Sequence, residues 1–463
     1  MMFSKSKTFF LVLPLAICFW GSCLTKVEKT ELTFNEHIAP IIHKNCTPCH
    51  RKGEAGPFEL ITLKDVKSKS KTISKVISKG IMPPWPADTS YSRFVGEKVL
   101  VKSERDMILE WIAAGCPEGD SKKPPIVPDY PNGSIFGKPD MVIELDQPIQ
   151  IKGDNRDRFL VAKIPYELDK DTFIRLIEYV PGNRKLSHHV NGHMVQYDPS
   201  QKRNVYQGAR YVDRELAGTL DASYKSIDLL NDDGTYPMLV PSVFNYLPGV
   251  EPQRYPEGMG GYRITKKGVF LLRDVHYGPT AVDETDKPRI NLFFAPRPPE
   301  RPFMETQLGT LGISDIVPEL VIPPDTVMEF TTRATIRNDI SLVTINPHMH
   351  LLGKSFLAFA IKPDGDTIPL IRINRWDFRW QYFYTFPKMV RIPAGSTLVA
   401  KGEFDNTTSN PNNPFNPPRE ISGLGGSMRT TDEMFQLILT FLPYQAGDEK
   451  IQLDANYPKS SGR

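Results

Sequence analysis

The pentapeptide Cys46-Thr-Pro-Cys49-His50 constrains this chain more than any other feature of its sequence. The Cys-x-x-Cys-His pattern is the attachment signature of c-type haem, in which both thiols add across the vinyl groups and the adjacent imidazole binds the iron. A reduced dithiol or half of a zinc site would use the same residue types. No second Cys/His pair lies nearby to complete a zinc tetrahedron. The motif therefore predicts covalent haem c held by Cys46, Cys49 and His50, and a redox role.

An iron bound by one imidazole needs a second axial ligand. Met82 lies in Gly80-Ile-Met-Pro-Pro-Trp85, where two prolines favour an extended loop after a helix. Such a loop can hold a thioether over the iron, as Met/His cytochromes require. Met107 is the alternative, but it falls in the apolar stripe of a predicted helix, which favours a core position. We expect Met82 to be the axial ligand, and residues 24–121 resemble a small class I cytochrome c.

The amino terminus predicts export. Lys5 and Lys7 precede an apolar run from Phe9 to Trp20, which is too short to cross a bilayer but suits the core of a signal peptide. The run ends in Trp-Gly-Ser-Cys23, which resembles a bacterial lipoprotein cleavage site. We expect a periplasmic protein or a membrane-anchored lipoprotein with a lipid on Cys23. Secretion with Cys23 removed or free is the alternative.

The composition indicates several domains. A chain of 463 residues is long enough for about three domains, and its net charge of +3 gives no reason to expect nucleic acid as a partner. Apolar residues recur at helical spacing before a proline-rich segment and alternate as in strands after it. The predicted units are a signal peptide at 1–23, a helical cytochrome c domain at 24–121, a linker at 122–134, and two β domains at 135–302 and 303–458.

Six of the nine histidines lie beyond the predicted haem domain, and five of them form suggestive groups. His348 and His350 flank one methionine, so on a strand both imidazoles face the same way and can chelate one ion. His188 and His189 are adjacent and would face opposite ways on a regular strand. Both can reach one metal only at a strand end or a bulge. His276 stands alone, and by itself indicates a hydrogen-bonded core residue.

Four motifs follow one another in a known order: Ser187-His188-His189-Val, Val275-His276-Tyr-Gly, Pro347-His348-Met-His350 and Thr431-Asp-Glu-Met434. Over roughly residues 135–455 they resemble the copper type II, ascorbate-dependent monooxygenases. The resemblance implies two antiparallel jelly-roll sandwiches with an active site in the cleft between them. It also implies two copper ions. His188, His189 and His276 would hold the electron-transfer copper, and His348, His350 and Met434 the catalytic, oxygen-activating copper.

The chemistry of these ligands suits the two roles. Imidazoles accept either oxidation state of copper, whereas a soft thioether favours Cu(I), the state that meets dioxygen. Without the resemblance Met434 would be interpreted as a core methionine, and Met428 is the alternative ligand. His193 is expected to support the first site or simply to pack. In the peptide-hydroxylating relatives an Arg and a Tyr bind a substrate carboxylate, but Asn346 and Ile438 take those positions here, so a glycine-extended peptide is not expected.

The sequence thus predicts an exported haem- and copper-dependent monooxygenase that hydroxylates a C–H bond of an unknown small substrate with dioxygen. Because the haem domain is fused upstream, we expect it to pass electrons to the three-histidine copper, with an external donor reducing the haem. One alternative is a haem/copper electron-transfer protein without hydroxylase activity. Another is a cytochrome joined to a binding sandwich whose histidines are structural.

Overall fold

The computed structural model of the chain describes residues 1–2, 31–130, 133–252, 254–424 and 430–454. The predicted signal-peptide core, the lipidation site Cys23 and the alternative ligand Met428 lie outside the described residues. Within these ranges, no helix has the length and apolar character needed to cross a membrane. The chain is mostly β, with a small helical part before residue 121 and two β regions after residue 134.

The helical part has one apolar core, to which Ile108 and Trp111 contribute fully buried side chains. The elements are a π-helical turn Phe34–Ile38, then α1 Ala39–Asn45, α2 Leu63–Ser68, α3 Ser70–Ser78 and α4 Lys102–Ala113; the short α5 Arg214–Ala217 and α6 Leu220–Ser226 lie in the first β region. Helix α2 begins at a capping box in which Thr62 and Asp65 each bond the other's backbone N–H. Met107 packs against the helical core, as its position in the apolar stripe predicts.

The first β region consists of antiparallel sheets around a core of its own. Its strands are β1 Met141–Glu144, β2 Ile149–Ile151, β3 Arg158–Glu167, β4 Thr172–Val180, β5 Ser187–Gln196, β6 Tyr211–Asp213, β7 Leu239–Tyr246, β8 Tyr262–Ile264, β9 Lys267–Tyr277, β10 Glu284–Asp286 and β11 Arg289–Phe294. One sheet has the order β1-β11-β4-β8, another β6-β3-β9-β5-β7, and β10 pairs with β2. The two strands that carry predicted ligands, β5 and β9, are neighbours in the five-stranded sheet.

The second β region is also built from antiparallel sheets and holds the largest apolar cluster. Its strands are β12 Met304–Gly309, β13 Ile316–Val317, β14 Val321–Ile322, β15 Val327–Thr335, β16 Ile340–Met349, β17 Gly353–Ile361, β18 Thr367–Ile373, β19 Tyr384–Ile392, β20 Thr397–Asp405, β21 Ile421–Ser422 and β22 Phe435–Pro443. The sheet orders are β12-β22-β16-β19 and β13-β15-β20-β17-β18, with β14 paired to β21. Strand β16 ends at the predicted His-x-His pair, and β22 beside it begins after Met434.

A segment of the helical part is built into the second β region. Ala87 forms a β-bridge with Ile373, and Phe94 is 4% exposed within the second region's apolar cluster. Asp88 accepts hydrogen bonds from the Arg372 side chain, and the closest N–O distance of this ion pair is 2.8 Å. The sequence interpretation placed these residues in the helical unit alone, whereas their side chains complete the core of a β region.

The proline-rich linker contacts the helical part at two points, although most of its described residues are exposed. The carbonyl of Ile126 is 3.3 Å from His43 Nδ1, and the Tyr130 hydroxyl donates to the His43 carbonyl at 3.2 Å. The guanidinium of Arg51 stacks over the Tyr130 ring at 4.0 Å. The linker is therefore held by one backbone contact and by the side chain of Tyr130.

The joint between the β regions has an ion pair. Arg301 lies in a second proline-rich segment, residues 296–302. Its guanidinium donates to both carboxylate oxygens of Asp448, at 2.6 and 2.8 Å. Asp448 is 3% exposed and also accepts from Ser341 Oγ. Burial tends to raise the pKa of Asp448, but Arg301 and Ser341 together lower it to about 2.

Candidate metal centres

The first candidate centre lies where β5 and β9 pair. The register between these strands shifts between Ser187 and His189, and again between His189 and Asn191. This is the strand irregularity that adjacent histidines need in order to reach one point. The His276 ring, on β9, has its centroid 4.7 Å from that of His188 and 4.9 Å from that of His189. The fold thus brings His276 beside a histidine pair that is far from it in sequence.

The free ring nitrogens of this cluster fit a metal ion. His189 Nδ1 and His276 Nδ1 are buried and have no hydrogen-bond partner among the described residues. A buried polar atom without a partner costs about 1–3 kcal/mol, so each of these two nitrogens has a lone pair that a ligand could satisfy. His276 Nε2 donates to Asp157 Oδ1 at 2.7 Å, which leaves Nδ1 with its lone pair. Pairing with a carboxylate in this way orients metal-binding histidines generally.

Space and charge in the first centre are also suited to a cation. Ligand atoms of Asp157, His188 and His276 all lie within 4.8 Å of one another, whereas His189 does not belong to this group. A Cβ on Gly278 would be 2.7 Å from His188 Nε2, so only glycine allows this approach of the imidazole. Burial, followed by the neighbouring His276, lowers the pKa of His188 to about 4 and of His189 to about 3. Both imidazoles are therefore neutral at pH 7, the form that binds a metal.

The second candidate centre lies at the end of β16. Met349 is fully buried in the apolar cluster, and His348 and His350 on either side of it line the opposite face, as the alternation of a strand predicts. Their ring centroids are 5.0 Å apart. His348 Nδ1 donates to the side-chain oxygen of Gln381, and His350 Nδ1 donates to the Asp432 carbonyl at 2.9 Å. Both rings therefore keep Nε2 for a metal.

Met434 and Glu433 lie beside this pair. Strand β22 pairs with β16 so that Phe435 is opposite Met349. This register places Met434 next to His350, across the strand pair. Met434 is 1% exposed. The Glu433 carboxylate accepts from three backbone N–H groups, those of Leu352 at 2.7 Å, His350 at 3.0 Å and Met434 at 3.3 Å. Burial raises the pKa of Glu433 to about 8, although these donors oppose the rise.

One cleft between the β regions is lined by His189 of the first centre and by His348 and His350 of the second. The Phe378 ring stands edge-on to His189 at 5.9 Å and to His350 at 5.7 Å, and so lies between the two centres. The cleft holds a cavity of about 50 Å³. Its lining comprises Phe159, His189, Val190, Asn191, Asn245, Asp274, Asn346, His348, His350, Phe378, Gln381 and Thr430. Amide and imidazole side chains make up most of the polar residues in this lining.

The Cys-x-x-Cys-His motif follows α1, and one ring nitrogen of its histidine is hydrogen-bonded. His50 Nδ1 donates to the Phe58 carbonyl at 3.0 Å, so Nε2 is the nitrogen that can bind a metal. The motif packs against the first β region, because a Cβ on Gly249 would be 2.6 Å from Cys49 Sγ. Cys46 and Cys49 form no disulfide, and haem attachment through them stays a prediction. Met82 is half-buried at the start of the Pro-Pro loop, and its axial role stays a prediction.

Four residues of the centres were not identified from the sequence: Asp157, Phe378, Gln381 and Glu433. Asp157 is 119 residues from the histidine it contacts, and Gln381 is 33 residues from its own. Neither has a local pattern that marks it. Glu433 precedes the predicted ligand Met434, and its place beside that residue was the one available signal. His193 lies further along β5, opposite Leu271, and does not line the cleft.

A comparison with protein families matches part of the second β region. Residues 307–415 match the model of the C-terminal domain of copper type II ascorbate-dependent monooxygenases. The matched segment contains His348, His350, Phe378 and Gln381, and ends before Met434. Copper is the cofactor of this family, so the match and the two free imidazole nitrogens agree on the metal.

Comparisons over the whole chain add little. No curated protein matches it. The structure of PNGF-II in space group P21 matches 65% of this chain and 65% of its own chain, at 9% identity and a TM-score of 0.26. The structure of infectious bursal disease virus strain Gx matches 65% of this chain and 76% of its own, at 10% identity and a TM-score of 0.15. Scores this low support neither a fold nor a function.

Proposed function

We propose that the chain is an exported haem- and copper-dependent monooxygenase that hydroxylates a C–H bond of a small substrate. The observation that carries the proposal is that His189 of the first cluster and His348 and His350 of the second line one cleft, the second pair inside a segment that matches a copper monooxygenase domain. When bound, copper would supply dioxygen activation and haem would supply one-electron transfer. The reaction consumes dioxygen, two electrons and two protons for each C–H bond, and yields an alcohol and water.

Each group of residues has a part in this function. His188, His189 and His276 would hold one copper, with Asp157 fixing the His276 ring. His348, His350 and Met434 would hold the other. Burial keeps the imidazoles of His188, His189 and His350 neutral at pH 7, because it lowers the pKa of each to about 3 or 4.

The cleft also bears on the substrate. Asn346 donates through Nδ2 to the Tyr382 carbonyl at 2.8 Å, and the buried Oδ1 of Asn245 has no partner among the described residues. An unpaired acceptor favours a substrate group that donates a hydrogen bond. We therefore expect a small polar substrate with a hydroxyl or amino group.

Haem and metal content test this function. The full-length chain, produced in a host that matures c-type cytochromes, should contain one covalent haem and two coppers. Cys46→Ala/Cys49→Ala should lose the haem, and His348→Ala should lose one copper. His193→Ala, on the same strand as the first cluster but outside the cleft, is the matched control and should keep both coppers. Iron without copper would contradict the proposal and leave a cytochrome joined to a binding sandwich.

Localisation is part of the same proposal. A signal peptide and assembly of c-type haem both require export, and the Cys23 context favours a lipid anchor. The mass of the mature amino terminus, measured after expression in a bacterium, should show cleavage before Cys23 with a diacylglyceryl adduct. An uncleaved amino terminus in the cytosolic fraction would contradict export.

A further inference from the structure

The loop of residues 374–382, between β18 and β19, contacts all three parts of the chain, and we refer to it as the connecting loop. At its start, Asn374 Nδ2 donates to Asp88 of the helical part at 3.0 Å. Near its end, the carbonyl of Gln381 accepts from Asn245 Nδ2 of the first β region at 3.3 Å. The loop itself belongs to the second β region. It is thus placed to couple the predicted haem unit to the cleft.

A continuous path of covalent and hydrogen bonds runs through the end of this loop. The Tyr382 hydroxyl donates to the carbonyl of Pro84 at 2.7 Å, two residues after the predicted haem ligand Met82. Gln381 precedes Tyr382 in the chain, and its side-chain oxygen accepts from His348 Nδ1. Tyr382 is 2% exposed, so water does not interrupt the path. Tyr382 contacts the loop that contains Met82, and Gln381 contacts His348. The peptide bond between Gln381 and Tyr382 therefore joins that loop to a predicted copper ligand.

Aromatic rings follow the same route. The Trp85 ring lies 5.1 Å from that of Tyr382, and Tyr382 stacks on Trp380 at 6.3 Å. The Tyr384 ring is a further neighbour, 5.7 Å from Tyr382, but its buried hydroxyl has no hydrogen-bond partner among the described residues. Electron tunnelling slows steeply with distance and is faster through bonds and packed rings than across gaps. The path through Tyr382 consists of bonds and hydrogen bonds, and packed rings lie beside it.

The contacts between the helical part and the first β region do not provide an equivalent path. Cys49 Sγ approaches Gly249, and Glu54 pairs with Arg184 at 3.3 Å. From Gly249 the backbone leads to Tyr246, which pairs with Val190 next to His189, but this route begins with a van der Waals contact between Cys49 Sγ and Gly249 and then follows a longer stretch of backbone. The route made of bonds and hydrogen bonds alone leads from the helical part to His348.

We propose that electrons leave the haem unit through Tyr382 and enter the cleft at the His348/His350 centre, not at the three-histidine centre. This inference rests on the proposed function and revises the route expected from the sequence. In each transfer one electron leaves ferrous haem, which becomes ferric, and Cu(II) at the His348/His350 centre becomes Cu(I). No bond forms or breaks. Tyr382 acts as a positioning residue that links Pro84 to Gln381.

The test is the rate of intramolecular electron transfer, followed by the haem absorption band. The full chain with haem and Cu(II) bound is kept free of dioxygen, and a laser-excited photoreductant reduces the haem. Decay of the reduced band then measures transfer to copper. Tyr382→Phe keeps the ring but removes the hydrogen bond, and should slow the decay several-fold. Tyr384→Phe makes the same chemical change two residues away with no hydrogen bond to lose, and should leave the rate unchanged.

Removing each centre identifies the electron acceptor. The decay should persist in His188→Ala/His189→Ala and disappear in His348→Ala, with copper loss from the intended centre checked by electron paramagnetic resonance. The opposite pattern, or equal rates in Tyr382→Phe and the wild type, would overturn the route. Either result leaves the proposed function intact, because haem and copper are present in the wild type. A wild-type chain without haem or copper would instead refute the proposed function itself.

Discussion

Substitution of Glu433 gives the sharpest test of the second centre. In Glu433→Gln the side-chain amide nitrogen must replace either Oε1, which accepts from Leu352, or Oε2, which accepts from His350 and Met434. In either orientation at least one buried N–H loses its acceptor, at a cost of about 1–3 kcal/mol. That cost lowers the stability of the folded chain, and the part of it that is relieved by a shift of the backbone at His350 and Met434 is lost from copper binding. At about 1.4 kcal/mol for each tenfold, copper affinity at the second centre should therefore fall by up to roughly 150-fold, although neither predicted ligand is removed.

The measurement is a competition titration of Cu(I) against a chelator, in a His188→Ala/His189→Ala background that leaves the second centre alone. Glu178→Gln is the matched control, because Glu178 is also buried and accepts from Ile135 N–H and Asn291 Nδ2 outside the cleft. The control should lose stability in urea without a change in copper affinity. If both variants bind copper as tightly as the parent, Glu433 supports the fold and does not position the ligands.

Three further predictions concern the first centre, the docking of the helical part and the joint between the β regions. Asp157→Asn should weaken copper binding at the first centre by about 10- to 100-fold, because His276 loses the carboxylate that orients it; copper per chain after dialysis measures this. Asp88→Asn should loosen the helical part from Arg372 and increase amide hydrogen exchange in residues 83–95. Asp448→Asn should destabilise the chain by about 2 kcal/mol at pH 7, because a pKa lowered from 3.8 to about 2 stabilises the fold only above that range.

Each of these has an outcome that would contradict it. Full copper retention in Asp157→Asn would mean that the carboxylate contact is incidental. Unchanged hydrogen exchange in Asp88→Asn would assign the docking to apolar packing alone. For Asp448 the pH dependence is decisive. The difference between Asp448→Asn and the wild type in the free energy of unfolding in urea should shrink as pH falls from 4 towards 2. Over this range the wild-type carboxylate becomes protonated, first in the unfolded and then in the folded chain. A difference that stays constant over this range would exclude the ion pair as its cause.

The sequence allowed the β character and the histidine order to be predicted for a physical reason. Alternation of apolar residues reports the period of a strand, and His348 and His350 sit at that period, so their common face could be inferred without coordinates. The adjacency of His188 and His189 demanded an irregular strand, and the register shifts around His189 supply it. Local geometry of this kind depends on neighbouring residues alone and can therefore be predicted from the sequence.

The supporting contacts could not be predicted in the same way. Asp157 and Gln381 are single polar residues in ordinary contexts, and each meets its histidine only because distant strands are neighbours in space. The same holds for Phe94, which was interpreted as part of a helical unit and lies in the core of a β region. Sheet order and the docking of one unit on another depend on the whole chain, and a window of sequence does not contain them.

The burial of Ala87 and Phe94 also bears on how the chain can be divided. A fragment that begins at the proline-rich linker would keep both β regions but leave an apolar hole where those two side chains sit, and would expose Tyr382 and Tyr384 to water. Such a fragment should be poorly soluble, however well its own strands pair. A soluble β fragment should therefore retain residues 83–95, supplied as a separate peptide if need be.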